Sequence, residues 1–407
     1  MSASMSGRAF AALDAGNGGP RAGKVRAVSV RIGAAVSTLA DARAGAIEAA
    51  VRARAGLEGA SCDVAVVFAS GTHLVDPEAT LAVIHEALSP DGLIGCGAGG
   101  TLGSGREIEQ GTSVAVWAAA LDGGSAVPFH GSADGADLPD LTGAAGAVLL
   151  GDPWSFDVES ALRSLSQSAP ALPLVGGLAS ARTADESGAL FLDQRVVSEG
   201  AVGIRFDGIE LLPCVSQGAA PIGPELTITA AEDHIISELA GKPALAKLRE
   251  VVLALPPEES ALLESGLLLG LVIDVNKPDY VQGDFLVRGV VGADPESGAL
   301  AVGAEVRPGQ VVRLHARDAD SADRDLRDAL AARREALGGS RPAGALVFTC
   351  NGRGRGMFGS RDHDAQALSE EFGGSPAAGF FAAGEIGPVG GEYFLHSFTA
   401  TMAVFGR

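Results

Sequence analysis

Short runs of consecutive apolar residues alternate along this chain with stretches in which apolar residues recur every three or four positions. Runs of the first kind, closed by turn residues, predict buried strands, and the second kind predicts helices packed on them. VAVVFASG, Val64 to Gly71, is a strand and turn. In Asp76 to Leu88 the residues Leu81, Ile84, His85 and Leu88 share one helical face, with Asp76 as N-cap and Pro77 in the first turn. LIGCGAGGTLG (Leu93 to Gly103) and a β-rich run from Thr112 to Trp117 follow.

The same order returns near the C-terminus. ALVFTCNG (Ala345 to Gly352) predicts a strand and turn, Asp362 to Phe372 a short helix, AAGFFAAGEIG (Ala377 to Gly387) the glycine-bearing segment, and Phe394 to Phe405 a closing strand. Phe68 then matches Phe348, Ser70 falls on Cys350, and Gly95 on Gly379. A fainter copy lies between: AVLLGDP (Ala147 to Pro153), a helix over Val158 to Leu165, LPLVGGLASA (Leu172 to Ala181), and an alternating run, Gly188 to Phe206, that reads as a hairpin. Ser321 to Leu337 is a further helix. The expected fold class is therefore α/β in the α+β sense. Strand–helix–strand–hairpin units form mixed sheets with helices packed on them, in two related halves. The glycines and prolines of SQGAAPIGP, Ser216 to Pro224, read as a linker between the halves. The segments are then a loose tail over 1–24, an N-terminal domain over 25–218 and a C-terminal domain over 219–407.

Composition narrows the function. The chain has 407 residues, 47% of them hydrophobic, and a net charge of −20. That field repels nucleic-acid backbones and anionic lipid surfaces, so neither is an expected partner. Four dispersed cysteines without a CxxC, and no apolar N-terminal segment, point to a reduced cytoplasmic setting. GCGAGG (Gly95 to Gly100) fits G-x-G-x-x-G, but no helix follows to receive a pyrophosphate, so no dinucleotide cofactor is expected. Asp362-His363-Asp364 reads as a helix N-terminus rather than a metal site, and no metal is expected.

Two segments have the chemistry of a site. CNGRGRGMFGSR (Cys350 to Arg361) follows a buried strand and concentrates Arg353, Arg355 and Arg361 in a glycine-rich turn of an acidic protein. In AAGEIGPVGGEYFLHSFTAT (Ala382 to Thr401), Glu385 sits between glycines beside apolar residues, a costly place for a charge unless it is paired or binds something. His396 reads as a core histidine or a ligand contact.

At these residues the chain resembles the FIST family. CNGRG, GFFAAGEIGP, FLHSFTATMAV and FLVRGVVG (Phe285 to Gly292) are similar to its C-terminal half, and FASGTH, LIGCGAGGTLGSGREIEQGTSVAV and LVGGLAS to its N-terminal half. SQGAAPIGPELTIT and GKPAL resemble the segment joining them. The resemblance implies a sensory module for small ligands, amino acids being the suggested class. With no room for an attached kinase, methyl-accepting or F-box region, output is expected through a separate signalling protein. The expected ligand contacts are Cys350, Asn351, Gly352, Arg353, Gly384, Glu385 and His396. Arg353 would anchor an anion, Glu385 an ammonium, and closure of the glycine loops would be the signal. The alternative is an enzyme with Cys350 as nucleophile, its pKa lowered by Arg353 and Arg355.

Overall fold

The computed structural model describes residues 29–263, 266–274, 277, 279–280 and 283–407. The expected tail over 1–24 lies outside them. Strand and helix positions follow the apolar patterns, and the same unit occurs three times.

The first unit runs β1 (Ser29–Ser37), α1 (Ala42–Ala55), β2 (Val64–Ser70), α2 (Pro77–Leu88), β3 (Gly92–Gly97), the hairpin β4 (Thr101–Gly103) and β5 (Arg106–Ile108), then β6 (Ser113–Asp122). Asp76 caps α2 with a side-chain bond to the Ala79 amide, and Pro77 opens the helix, as their order predicts. The second unit runs β7 (Ser125–Gly131), β8 (Gly146–Gly151), α3 (Val158–Ser168), β9 (Leu174–Leu178), the hairpin β10 (Leu190–Leu192) and β11 (Arg195–Val197), then β12 (Ala201–Asp207). Gly188 to Phe206 is thus a hairpin only as far as Val197, and β12 leaves for another sheet.

The third unit opens with β13 (Leu211–Gln217) and is interrupted by an insert. The insert comprises β14 (Ala219–Glu232), β15 (Ile235–Leu239), β16 (Lys242–Pro243), α4 (Ala244–Ala254), α5 (Pro257–Leu262), β17 (Leu267–Val272), β18 (Phe285–Ala293), β19 (Leu300–Val302) and β20 (Val311–Arg317). The unit resumes with α6 (Ala319–Ala336), β21 (Gly344–Cys350), α7 (Arg355–Phe358), α8 (His363–Glu371), β22 (Ala377–Ala382), the hairpin β23 (Glu385–Val389) and β24 (Glu392–His396), and β25 (Thr399–Phe405). Ser216 to Pro224 is therefore not a loop: only Gly218 separates β13 from β14, and the chain passes between sheets in strand conformation.

The sheet orders are β1-β6-β2-β3-β10-β11, β7-β12-β8-β9-β23-β24 and β13-β25-β21-β22-β4-β5, with the insert in a fourth sheet. Each unit keeps one parallel pair, β2/β3, β8/β9 or β21/β22, and places an antiparallel strand beside it. Each also lends its hairpin away. The first unit's hairpin extends the third sheet, the third unit's the second, and the second unit's the first. The lending closes a ring, so no unit completes its own sheet.

The core lies between these sheets. Phe68, Phe348 and Phe380 meet there, with Phe68 stacked on Phe380 at 4.8 Å between centroids and edge-on to Phe348 at 6.3 Å. Gly95, Gly176 and Gly379 occupy equivalent sites on β3, β9 and β22. A Cβ there would lie 1.9, 1.8 and 1.9 Å from the carbonyl oxygens of Val67, Leu149 and Val347. The repeat of glycine in these runs therefore has a steric cause.

Candidate functional site

The carboxyl ends of β2, β8 and β21 put Ser70, Asp152 and Cys350 in equivalent positions, each beside an alanine that ends or follows the parallel neighbour: Ala98, Ala179 and Ala382. On the antiparallel side the partners are Ser113, Gly200 and Thr399, and on the lent hairpins Thr101, Leu190 and Glu385 hold matching places. Two of these trios are polar. In the first, Ser70 and Ser113 hydroxyls are 2.8 Å apart and Thr101 donates to Ser113 at 2.8 Å. In the third, the Thr399 amide and hydroxyl both donate to Glu385 Oε2, at 3.1 and 2.7 Å, while Glu385 Oε1 has no hydrogen-bond partner and the carboxyl lies beside the Cys350 thiol.

Cys350 and Glu385, far apart in sequence, thus meet. Glu385 is fully buried rather than set in an open cleft. Burial pushes its carboxyl up, against the Thr399 bonds that favour the ionised form. The Cys350 thiol is also pushed up, by burial and then by the Glu385 charge. This reverses the lowered pKa expected from the neighbouring arginines, which do not reach the thiol with an effect that outweighs desolvation. A thiol held in its neutral form is a poor nucleophile, which weighs against Cys350 in that role.

Arg353 also departs from the expected open turn. Its side chain is buried, and Nε and Nη2 form a bidentate pair with Asp364 at 2.7 and 2.8 Å. Burial would raise the Asp364 carboxyl, but Arg353, His363 and Thr349 hold it well below the usual carboxylate range. Thr349 donates to Asp364 at 2.7 Å and His363 Nδ1 lies 2.9 Å away, while His363 Nε2 reaches Asp323 at 3.0 Å. Arg353 thus spends Nε and Nη2 on Asp364, while its buried Nη1 has no hydrogen-bond partner. Gly218 makes room for it: a Cβ there would meet Phe398 O at 2.1 Å and Arg353 Nη1 at 3.1 Å.

The other expected contacts divide. Asn351 is exposed, its amide donating to Ala382 O at 2.9 Å. Gly352 packs under Phe398, whose ring a Cβ would meet at 2.9 Å. Gly384 accepts from the Leu178 amide at 2.8 Å, a contact between units. His396 is buried with Nε2 3.1 Å from Gly387 O, and burial lowers its pKa to about 4, so it sits as a neutral core residue. Among the described residues no group of three or more His, Cys, Asp or Glu is placed to hold a metal ion.

An open cleft lies beside this buried network. A cavity of about 320 Å³ separates hairpin β4–β5 from the Cys350–Arg361 loop and is lined by Arg106, Arg355 and Arg361 and by Glu107, Glu109 and Asp362. Glu109 Oε1 accepts from the Arg355 amide at 3.0 Å, and Gly354, at φ 75°, lies against the same carboxylate. Glu107 Oε1 accepts from the Ala365 amide at 3.0 Å, while Oε2 has no partner. Burial first, then the Asp364 charge, raise the Glu107 pKa to about 7. Glu107 stands outside both segments that the sequence marks by their chemistry. Its signal is the order in REI, where the strand turns Glu107 inward, on the face opposite Arg106 and Ile108, while Glu109 lies past the strand end and is half-buried.

The chain matches the FIST N domain over residues 63–242 and the FIST C domain over 244–388. It is 42% identical to an uncharacterized protein of Mycobacterium tuberculosis strain H37Rv, over 92% of this chain and 100% of that protein. It is 41% identical to one of Mycobacterium bovis, over 92% of this chain and 99% of that protein.

Proposed function

The chain belongs to the FIST family, and from that premise we propose that it is a small-ligand sensor whose ligand docks in the cleft between hairpin β4–β5 and the Cys350–Arg361 loop. FIST domains are associated with sensory and signal-transduction roles and with small-ligand binding. The observation that carries the reading is the pairing of charges in this cleft: Arg355 and Arg361 on the loop across from Glu107, a mostly buried carboxylate with one oxygen unsatisfied. A zwitterion such as an amino acid presents the complementary pair, its carboxylate to Arg355 or Arg361 and its ammonium to Glu107.

The cleft joins the first unit to the third, so a ligand there tightens the contact between a lent hairpin and its host sheet. Behind it, Asp364 connects Glu107's surroundings to Arg353 and Thr349. A separate signalling protein would read the change, and the setting would be cytoplasmic. Among the described residues no helix is long and apolar enough to cross a membrane.

Thermal-shift screening of the intact chain against the amino acids and related metabolites tests this, since binding to the folded state raises the Tm. The expected hit loses its shift in Arg355→Gln or Arg361→Gln, both at exposed positions. A hit unaffected by either substitution would place the ligand elsewhere.

A further inference from the structure

A second cavity, of about 300 Å³, lies where the insert meets the three-unit core, between α3, β18 and β24. Its apolar wall is made by Leu162, Leu286, Tyr393, Phe394 and Leu395, and into it projects Arg288. The Arg288 side chain is only 8% exposed. A guanidinium carries five N–H donors, and a buried one is ordinarily paired. Among the described residues the hydrogen bond of this one is a long one, 3.3 Å from Nη1 to the carbonyl of its neighbour Val287. Its nearest carboxylate, Glu159, stands 3.8 Å away and is half exposed, too far for a hydrogen bond. Burial lowers the Arg288 pKa, and the weak approach of Glu159 does not offset it.

We propose that this cavity is a binding site for a small apolar carboxylic acid, whose carboxylate takes the open fork of Arg288 and whose hydrocarbon body lies against Leu286, Phe394 and Leu395. The size suits such a body. The fork geometry favours a carboxylate over a neutral group, and burial strengthens the pairing because water is excluded. Because Arg288 is on the insert, Leu162 on the second unit and Leu395 on the hairpin lent by the third, an occupant ties all three together. The site is separate from the cleft at Arg355 and does not depend on that reading.

The test is isothermal titration of the intact chain with phenylacetate and 4-methylpentanoate, each set against its neutral amide. Binding of at least one acid, with its amide at least about tenfold weaker, is expected from the loss of the charge-assisted pair. Glu159→Gln, a surface change that removes the carboxylate nearest Arg288 (Glu305 and Glu392 also line the cavity), should tighten the acid several-fold. Arg288→Gln should abolish it, while Arg355→Gln leaves it unchanged. The proposal is overturned if neither acid binds, if acid and amide bind alike, or if Glu159→Gln leaves the affinity unmoved. The last two comparisons hold even where Arg288→Gln does not fold.

Discussion

Arg353 and Asp364 form a two-pronged ion pair, at 2.7 and 2.8 Å, with both side chains essentially without solvent contact. It fastens the loop after β21 to the first turn of α8, and thereby fixes one wall of the charged cleft. Removing one partner leaves the other buried and alone. Asp364→Asn should therefore cost about 3–5 kcal/mol, whereas the apolar double replacement Arg353→Met with Asp364→Leu should recover much of the loss. Urea denaturation of Asp364→Asn and of the double variant reads this directly. Single losses below 1 kcal/mol would show the pair to be solvated.

Glu107 gives a pH dependence of known sign. Its pKa in the folded chain is raised from 4.5 to about 7. A carboxyl with a raised folded pKa contributes stability that is complete below its unfolded pKa and is lost as pH rises through the folded value. From pH 5 to 8 the wild-type Tm should fall relative to that of Glu107→Gln, whose side chain does not titrate. Parallel Tm profiles for the two proteins would mean that Glu107 ionises normally.

The four cysteines are all buried, Cys350 being the most accessible at 8%. Iodoacetamide near neutral pH should label none of them rapidly in the folded protein, because burial raises all four thiols. Peptide mass spectrometry should show labelling only with unfolding. Fast modification of Cys350 in the native state would restore the case for a reactive thiol.

The three glycines that allow the parallel strands to approach should be intolerant of any side chain. Gly95→Ala, Gly176→Ala and Gly379→Ala each force a Cβ onto a backbone carbonyl, and losses above about 3 kcal/mol or failure to fold are expected. Gly289→Ala is the control, since a Cβ there meets nothing within 4 Å. Its expected change in Tm is small, and equal losses in all four variants would discount the steric argument.

Helix α2 is present where Asp76, Pro77 and the Leu81, Ile84, Leu88 face put it, and the strand ending at Cys350 is where its apolar run puts it. These are local matters of capping, periodicity and turn residues, so residues a few positions apart decide them. The match of Ser70 to Cys350 is likewise legible, because a repeat preserves its order of elements. The sequence alone also determined that GCGAGG leads into a strand and not a helix, as β4 confirms. What the tertiary structure decided is which segment completes which sheet. Thr101 pairs with Phe380 and Glu385 with Gly177, across chain distances that no local pattern records. The same holds for charge. From CNGRGRGMFGSR the three arginines look alike, yet Arg353 is consumed by Asp364 while Arg355 and Arg361 face the cleft. The thiol of Cys350 lies near cations in sequence but beside Glu385 in space, and burial outweighs both. Desolvation depends on everything packed around a group, and that packing is assembled only when the lent hairpins close the ring.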